Sequence, residues 1–381
     1  MKTYDIVILG GGIYGLYIAS LEELKDKKKL IIEIEDECFK RASFVNQARL
    51  HNGYHYPRDL KTSSDAHKYF QRFNDEFSYA INDSFKSIYA ISNNCSLTSA
   101  KEFEEFCKRV DLPIEKEDPK KYFKDNMVEA AYSTIEYTFD ANKIKEELLK
   151  KALSNNTEIL YSTFVESYEI FDKKYHLILN TKKSVEAPVV INTTYSSINC
   201  VNKLFDVPQL DIKYELCEVI TGTANEELQK YAFTIMDGSY FSTMPFSSGD
   251  TYSLTSVHFT PHETCLKQLP FFTCQLKSGK CNHKQLGNCN TCKFRPLSKF
   301  YAMKKLFNEY LDDRFDIHYK KSLYAIKPIL KSSEEDDSRP TIINKYGKKP
   351  MFVSCLSGKV STIYIMKDFI LNLRKEWDNE D

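Results

Sequence analysis

The sequence predicts an α/β protein of two domains, one built on a parallel sheet and the other on a mixed or antiparallel sheet. Three observations support this prediction. A β-α-β pattern opens the chain at residues 4–34, helix and strand patterns alternate up to about residue 200, and β-like segments fill residues 214–257. With 381 residues and 42% hydrophobic content, the chain is long enough to bury two cores.

The elements follow from the spacing of apolar residues. Residues 4–9 read as a strand, 10–15 as a turn, 16–24 as a helix and 29–34 as a second strand. Asp140 can cap a helix. Further helices are predicted at 62–81, 101–110, 140–153, 299–311 and 361–374, with strands within 159–179, 185–193 and 351–355, and an irregular stretch at 261–296.

The turn after the first strand has the pattern G-x-G-x-x-G, formed by Gly10, Gly12, Ile13, Tyr14 and Gly15 around one further glycine. In a β-α-β unit this pattern predicts a dinucleotide-binding turn of the Rossmann type. The first glycine permits a tight turn, the second lets the backbone approach a pyrophosphate, and the third allows close packing of helix on strand. The helix N-terminus then offers free N–H groups to the phosphates.

An acidic residue at the end of the second strand extends this motif. Glu33 follows Gly15 by 18 residues, and a carboxylate there can accept hydrogen bonds from ribose hydroxyls. Glu35 is a competing candidate for this role. The alternative interpretation is a glycine-rich turn in an α/β protein that binds no nucleotide.

Composition excludes several classes of partner. Lys plus Arg and Asp plus Glu both number 53, so the chain has no net attraction to nucleic acid or anionic lipid. No apolar run approaches the roughly 18 residues that span a bilayer, and the first apolar stretch is interrupted by glycines. We therefore expect no membrane span, no nucleic-acid partner, and a cytoplasmic location.

Residues 42–57 narrow the nucleotide to FAD. Ser43, Asn46, His51 and Gly53 are spaced as in a flavin-contacting segment. In this segment the chain resembles the D-amino-acid oxidase superfamily of FAD-dependent oxidoreductases, in particular glycine oxidases and L-2-hydroxyglutarate oxidases. The resemblance implies that Ser43 lies near the pyrophosphate and that His51 lies beside the flavin ring.

Other segments fit the same family. Val165 matches a position whose backbone holds the adenine, and Thr193 lies at a strand end where the family has Ala-Gly. Arg339 and Pro340 resemble an Arg-Pro pair late in the sequence of glycine oxidases. Gly358 and Lys359 resemble the last turn of the family's chain, which faces the flavin. The resemblance implies an FAD-binding domain at 1–80, 136–200 and 331–381, and a substrate domain at 81–135 and 201–330 with a cysteine-rich insertion at about 265–296.

The resemblance also assigns candidate roles around the flavin. His51 or His55 would handle a substrate proton, since histidine titrates near neutral pH. Arg339 would clamp a substrate carboxylate, and Lys359 would stabilise charge on the flavin. The alternatives are structural hydrogen bonds for the histidines, a surface position beside residues 334–337 for Arg339, and solvent exposure for Lys359. Substrate contacts are expected from Tyr54, Tyr56, His258 and Arg339.

Eleven cysteines, an odd number in a long chain without a secretion signal, favour free thiols or a metal site over a disulfide framework. Cys274, Cys281, Cys289 and Cys292 lie within 19 residues and include a C-x-x-C pair. They predict a structural zinc site, with His283 as an alternative ligand. A redox pair, a disulfide or coincidence are the competing explanations.

These observations predict an FAD-dependent oxidase or dehydrogenase. It would remove a hydride equivalent from a small amine, amino acid or 2-hydroxy acid and pass electrons to O2 or another acceptor. Two alternatives remain open. One is a redox-neutral flavin enzyme acting on a nucleotide sugar, and the other is a non-catalytic protein that binds flavin or metal.

Overall fold

The computed structural model describes residues 2–247, 249–279, 281–282, 284–333 and 338–378. Within these residues the helices are α1 Ile13–Ser20, α2 Leu60–Glu76, α3 Ala100–Arg109, α4 Ala141–Ser154, α5 Ile198–Leu204, α6 Thr273–Ser278, α7 Phe300–Tyr310 and α8 Ile363–Asp378. The strands are β1 Lys2–Thr3, β2 Ile6–Leu9, β3 Lys29–Ile32, β4 Arg49–Leu50, β5 Ile81–Asn82, β6 Lys86–Ser92, β7 Ile114–Glu117, β8 Val128–Thr134, β9 Tyr137–Phe139, β10 Thr157–Leu160, β11 Val165–Phe171, β12 Lys174–Leu179, β13 Ser184–Ala187, β14 Val189–Asn192, β15 Ile212–Ala224, β16 Tyr231–Met236, β17 Phe241–Pro245, β18 Thr251–Ser256, β19 Pro261–Cys265, β20 Ile317–Leu330, β21 Ile342–Tyr346 and β22 Met351–Leu356.

The first sheet contains the predicted parallel core. Its order is β10-β3-β2-β14-β22-β21, and every neighbouring pair is parallel except β21 with β22. All residues of β2, β3 and β14 are buried, which explains their nearly continuous apolar sequences. The predicted Rossmann-type sheet is therefore confirmed.

Helices pack on this sheet and thereby bury their apolar faces. In α1, every residue from Ile13 to Ala19 is buried, and the helix packs against α4 and α8. The ring of Tyr17 in α1 meets that of Tyr364 in α8 edge to face, with centroids 5.9 Å apart. This packing fixes the N-terminus of α1 relative to the strand that precedes it.

The second large sheet has the order β19-β15-β18-β17-β16-β6-β8-β7, with β20 also paired to β15. The pair β16 and β6 is parallel, and the other pairs are antiparallel, so the predicted mixed sheet is confirmed. A small sheet of order β4-β9-β5 connects the two halves of the molecule. A fourth sheet, β1-β13-β12-β11, flanks the parallel core. The boundaries of the two domains remain a prediction.

Side-chain caps explain where α2, α3 and α4 begin. The Asp140 carboxylate accepts the N–H groups of Asn142 and Lys143 at 2.9 and 3.3 Å, which confirms its predicted capping role. Helix α2 begins at Leu60, where Asp59 caps it, and ends five residues before its predicted end. The stretch 261–296, predicted to be irregular, contains strand β19 and helix α6. Among the described residues, no helix is long and apolar enough to cross a membrane.

Candidate active site

A cavity of about 1010 Å³ opens where the parallel strands β2, β3 and β14 end. Gly10, Glu33 and Thr193, which follow these three strands, all line the cavity. In parallel α/β sheets, ligands bind at the carboxyl ends of the strands, where adjacent connections diverge. The cavity continues past β4 to the turn that follows β22.

The glycine turn forms one wall of the cavity. Gly10, at φ +102°, turns the chain after β2, and a Cβ at Gly15 would lie 2.0 Å from the Gly10 carbonyl oxygen. Gly12 precedes α1 without a side-chain cap, and Ile13 donates its N–H to Ser43 Oγ at 2.9 Å. The first-turn amides of Tyr14 and Gly15 have no intrahelical acceptor, so this helix end is suited to bind an anion.

Glu33 reaches the cavity from the end of β3. Its carboxylate accepts the Gly11 N–H at 2.5 Å and the Glu35 N–H at 2.8 Å. Burial raises the pKa of Glu33, although these two backbone hydrogen bonds oppose the rise. Glu35 also lines the cavity, but its carboxylate is paired with Arg41 at 2.7 Å. The geometry therefore favours Glu33 as the ribose ligand.

The segment after Glu33 lies along the middle of the cavity. Asn46 Nδ2 donates to the Ala42 and Ser43 carbonyls, and Asn46 Oδ1 accepts the Ala48 N–H at 2.6 Å. Gln47 is hydrogen-bonded to Thr255 in β18 of the mixed sheet. Because these bonds hold the loop in place, Ser43 and Asn46 present a fixed polar surface to the cavity.

The remaining predicted cofactor residues also line the cavity, with the exception of Gly15, which packs behind the turn. Val165 begins β11 beside Glu33, and Gly358 lies at the opposite end. The Thr193 hydroxyl donates to the Leu9 carbonyl at 2.9 Å, so the threonine that replaces the expected alanine serves the backbone of the glycine turn.

Four predicted site residues meet in one part of the cavity: His51, Tyr56, Arg339 and Lys359. The Lys359 ammonium lies 3.6 Å from the Tyr56 ring centroid, and the rings of His51 and Tyr56 are 5.6 Å apart. A Cβ at Gly358 would lie 1.9 Å from the Arg339 carbonyl oxygen, so the turn carrying Lys359 packs directly on the irregular segment that carries Arg339. Arg339, Lys359 and His51 therefore lie together in this part of the cavity.

Burial changes the protonation of the two titratable groups. Desolvation lowers the pKa of Lys359 to about 7, against the opposing charges of Glu136 and Asp59. Desolvation also lowers the pKa of His51 to about 4, although the nearby Glu136 carboxylate opposes that shift. At neutral pH, His51 is consequently a neutral imidazole able to accept a proton.

A buried polar network, not predicted from the sequence, lies behind His51. The Glu136 carboxylate is 3.5 Å from His51 Nδ1 and 3.4 Å from Arg49 Nη1, and it accepts the Tyr89 hydroxyl at 2.7 Å. Arg49 donates to Tyr89 at 2.9 Å and to Thr234 at 2.8 Å. The sequence offers a signal for Arg49, because it lies two residues before the predicted site residue His51. Glu136 carries no local sequence signal.

Besides Gly15, three residues predicted to act in catalysis or substrate binding lie outside the cavity lining. Tyr54 is fully buried in a hydrophobic cluster and donates its hydroxyl to the Pro113 carbonyl at 2.6 Å, so it does not face a substrate. His55 lies behind His51, with ring centroids 5.6 Å apart, and burial lowers its pKa well below the usual value. His258 is exposed in the turn between β18 and β19. The predictions for these three residues therefore require correction.

The cysteine-rich insertion gives no support to the zinc prediction. In the described residues, no group of three or more histidine, cysteine or acidic side chains is placed to hold a metal ion. Cys274, Cys281, Cys289 and Cys292 are free, and the first three pack against a hydrophobic cluster. His283 and residues 334–337 lie outside the described residues.

Solved structures with the same fold span nearly the whole chain. L-α-glycerophosphate oxidase from Mycoplasma pneumoniae, solved with FAD bound, superposes with a TM-score of 0.71 at 15% identity, covering 98% of this chain and 95% of that one. Glycine oxidase from Geobacillus kaustophilus gives 0.65 at 13% identity and covers 95% and 91%. L-proline dehydrogenase from P. horikoshii gives 0.62 at 13% identity and covers 95% and 90%.

The sequence itself was compared with curated proteins and with family models. The first comparison gives no significant match. The second matches residues 5–261 to the DAO family, described as FAD dependent oxidoreductase. This match covers more than half of the chain, including the glycine turn, Glu33 and the loop that carries His51. The chain therefore belongs to the DAO family of FAD-dependent oxidoreductases.

Proposed function

We propose that this protein oxidises a small anionic substrate at a C–H bond next to a hydroxyl or amino group, with a secondary alcohol as the favoured class. The observation that carries the proposal is that His51, Arg339 and Lys359 line the same cavity as the glycine turn and Glu33. Such a cavity can place a flavin ring between a dinucleotide site and a reactive pocket.

The residues present fit FAD. A Cβ at Gly12 would lie 2.9 Å from Ser43 Oγ, so the glycine leaves room beside the turn for a pyrophosphate. The N-terminus of α1 faces this space, and Glu33 and Val165 lie where a ribose and an adenine would bind. When bound, FAD supplies the acceptor for a hydride, and O2 or another acceptor reoxidises it.

Arg339 and Lys359 would hold the anionic group of the substrate. A guanidinium can bind a carboxylate or phosphate through two parallel hydrogen bonds, whereas the Lys359 ammonium acts as a compact charge. Proximity of a bound anion would favour the charged form of Lys359 and raise its pKa.

His51 would act as the general base. Oxidation of an alcohol requires loss of the hydroxyl proton as the hydride leaves carbon, and a neutral imidazole can take that proton. The Glu136 carboxylate behind the ring would stabilise the imidazolium that forms, because opposite charges attract strongly in a buried site. An amine bound in its unprotonated form needs no such base, and this difference favours the alcohol.

The structurally similar proteins include both substrate classes, since they are a glycerophosphate oxidase, a glycine oxidase and a proline dehydrogenase. We therefore propose an anaerobic screen in which flavin bleaching is followed with 2-hydroxy acids, glycerol phosphates, amino acids and N-methyl amino acids. Bleaching by a hydroxy acid or glycerol phosphate is the expected result. Bleaching by amines alone would contradict the preference for alcohols, and bleaching by none would contradict the proposal.

The matching variant test concerns the base. Because general base catalysis contributes about 100-fold or more, His51→Ala should slow flavin reduction by an alcohol by at least about that factor while FAD stays bound. His258→Ala, at an exposed turn away from the cavity, is the matched control and should be unaffected. Full turnover of His51→Ala with full FAD content would remove the catalytic role.

A further inference from the structure

Part of the cysteine-rich insertion forms a wall of the FAD cavity. Lys284, Gln285 and Leu286 line it, and Asn282 lies beside them. We call residues 284–288 the clamp segment. The family match ends at residue 261, so this wall is built from a part of the chain that the family model does not match.

The clamp segment is attached to the loop that follows the ribose-binding strand. Arg41 Nη2 donates to the Leu286 carbonyl at 2.7 Å, while Arg41 Nε donates to Glu35 at 2.7 Å. Asn288 Nδ2 approaches Glu35 Oε2 at 3.2 Å and the Lys40 carbonyl at 3.4 Å. These bonds place the segment beside Glu35, two residues beyond Glu33.

The opposite side of the segment is fixed to the protein core. Leu286 is 1% exposed and packs in a cluster with Tyr214 and Phe272. The Gly287 N–H donates to Cys281 Sγ at 3.1 Å. Two residues beyond the segment, Asn290 exchanges hydrogen bonds with the Tyr324 backbone at 2.8 and 3.1 Å. An irregular loop with this many attachments holds a defined shape.

The charge of the segment suits a phosphate ligand. Lys284 is exposed at the cavity wall, and the same lining includes Lys203 at the end of α5, along with Lys40 and Lys327. From these contacts we infer that the clamp segment binds the ADP half of FAD, with Lys284 facing the phosphates, and thereby slows release of the cofactor. The inference rests on FAD occupying the cavity and is independent of the substrate.

The test measures cofactor binding without any turnover. FAD is removed from the full chain and titrated back while the quenching of flavin fluorescence is recorded. Lys284→Ala should weaken FAD binding about tenfold, as expected for loss of one ion contact worth about 1.4 kcal/mol. Because screening acts on charged pairs, the variant should also respond less to added salt. ADP used as a competitor should lose affinity by the same factor, whereas riboflavin should not.

A second variant tests the attachment itself. Asn288 contacts the loop but does not line the cavity. Asn288→Ala should therefore speed FAD release about three- to tenfold, because it removes hydrogen bonds to Glu35 and Lys40. Lys277→Ala, on α6 of the same insertion and away from the cavity, is the matched control for charge and folding.

Two results would overturn the inference. One is unchanged FAD affinity and release in both Lys284→Ala and Asn288→Ala. The other is an equal loss in Lys277→Ala, since the effect would then come from overall charge or from folding of the insertion. A substrate screen that fails leaves these measurements untouched, so the two proposals can fail separately.

Discussion

Lys359 and His51 have shifted pKa values that bear directly on the proposed anion binding and proton transfer. Desolvation brings the pKa of Lys359 to about 7 and that of His51 to about 4. A cation is needed to bind the anionic substrate, and a neutral imidazole is needed to accept a proton. The pH range between about 4 and about 7 is therefore the range in which both groups have the required form.

The first prediction is a bell-shaped pH dependence of kcat/KM. Its value should fall above about pH 7 as Lys359 loses its proton, and below about pH 4 as His51 gains one. Lys359→Arg should remove the alkaline fall, because a guanidinium stays charged over this range. Steady-state kinetics from pH 3 to 9 test this, and an unchanged alkaline fall in the variant would exclude Lys359 as its origin.

The second prediction concerns Arg339 and its proposed binding of the substrate anion. Arg339→Lys should raise KM about tenfold with little change in kcat, because the ammonium retains the charge but loses the paired hydrogen bonds, a loss of about 1.4 kcal/mol. Arg109→Lys, at the exposed end of α3, is the control and should behave as the unmodified protein. Equal KM values for the Arg339 variant and the control would show that Arg339 does not bind substrate.

At the scale of the element, the tight contact between α1 and the turn before it is required for the dinucleotide site. The third prediction is that Gly15→Ala abolishes stable FAD binding, since the new Cβ would lie 2.0 Å from the Gly10 carbonyl oxygen and displace the helix. Gly249→Ala adds a Cβ with nothing within 4 Å, at φ +78°. It should cost about 1 kcal/mol of stability but retain FAD, and FAD content after gel filtration separates the two.

The elements that could be predicted from the sequence are those with local signals. Apolar runs such as residues 6–9 and 189–192 defined buried parallel strands, and the glycine pattern defined the turn between strand and helix. Asp140 could be recognised as a cap because its partners are its next neighbours in the chain. The roles expected for His51 and Arg339 likewise came from short sequence segments that resemble segments of a known family.

What could not be predicted depends on contacts between distant segments. Glu136 approaches His51 only because β9 pairs with β4. Tyr54 lies in the same loop as Tyr56, yet the side chains diverge, one into a hydrophobic core and one onto the cavity. The approach of residues 284–286 to the FAD site depends on bonds from Arg41 that span more than two hundred residues. No periodicity in the sequence encodes such contacts.

At the scale of the molecule, a buried ion pair joins the small connecting sheet to the large mixed sheet. Arg49, in β4, contacts Glu136, Tyr89 of β6 and Thr234 of β16. Burial alone would raise the pKa of Glu136, but the charges of Arg49 and His51 and the Tyr89 hydroxyl hold it at about 2. The carboxylate is therefore ionised at every pH at which the folded protein is expected to work.

The fourth prediction is that Glu136→Gln lowers the free energy of unfolding by about 3–5 kcal/mol at neutral pH, since it leaves the Arg49 charge buried without its partner. When folding lowers the pKa of a carboxyl group, that group stabilises the protein at pH values above its unfolded pKa of about 4.3. This stabilisation is lost as the pH falls toward 2. The difference between variant and parent should accordingly shrink in acid.

Urea unfolding at several pH values measures this difference. Glu226→Gln, at an exposed position, is the control and should change stability by less than about 0.5 kcal/mol. A Glu136→Gln protein that unfolds at the same urea concentration as its parent would show that the pair does not stabilise the fold.

The strand order of the parallel sheet has a consequence for how the protein is made. The glycine turn is synthesised long before its sheet is complete, because β14 obtains its second neighbour only when β22, residues 351–356, has been made. The mixed sheet, by contrast, has all its strands by residue 330. We therefore expect the mixed sheet to assemble first and the cofactor to be loaded only after β22 has joined the parallel sheet.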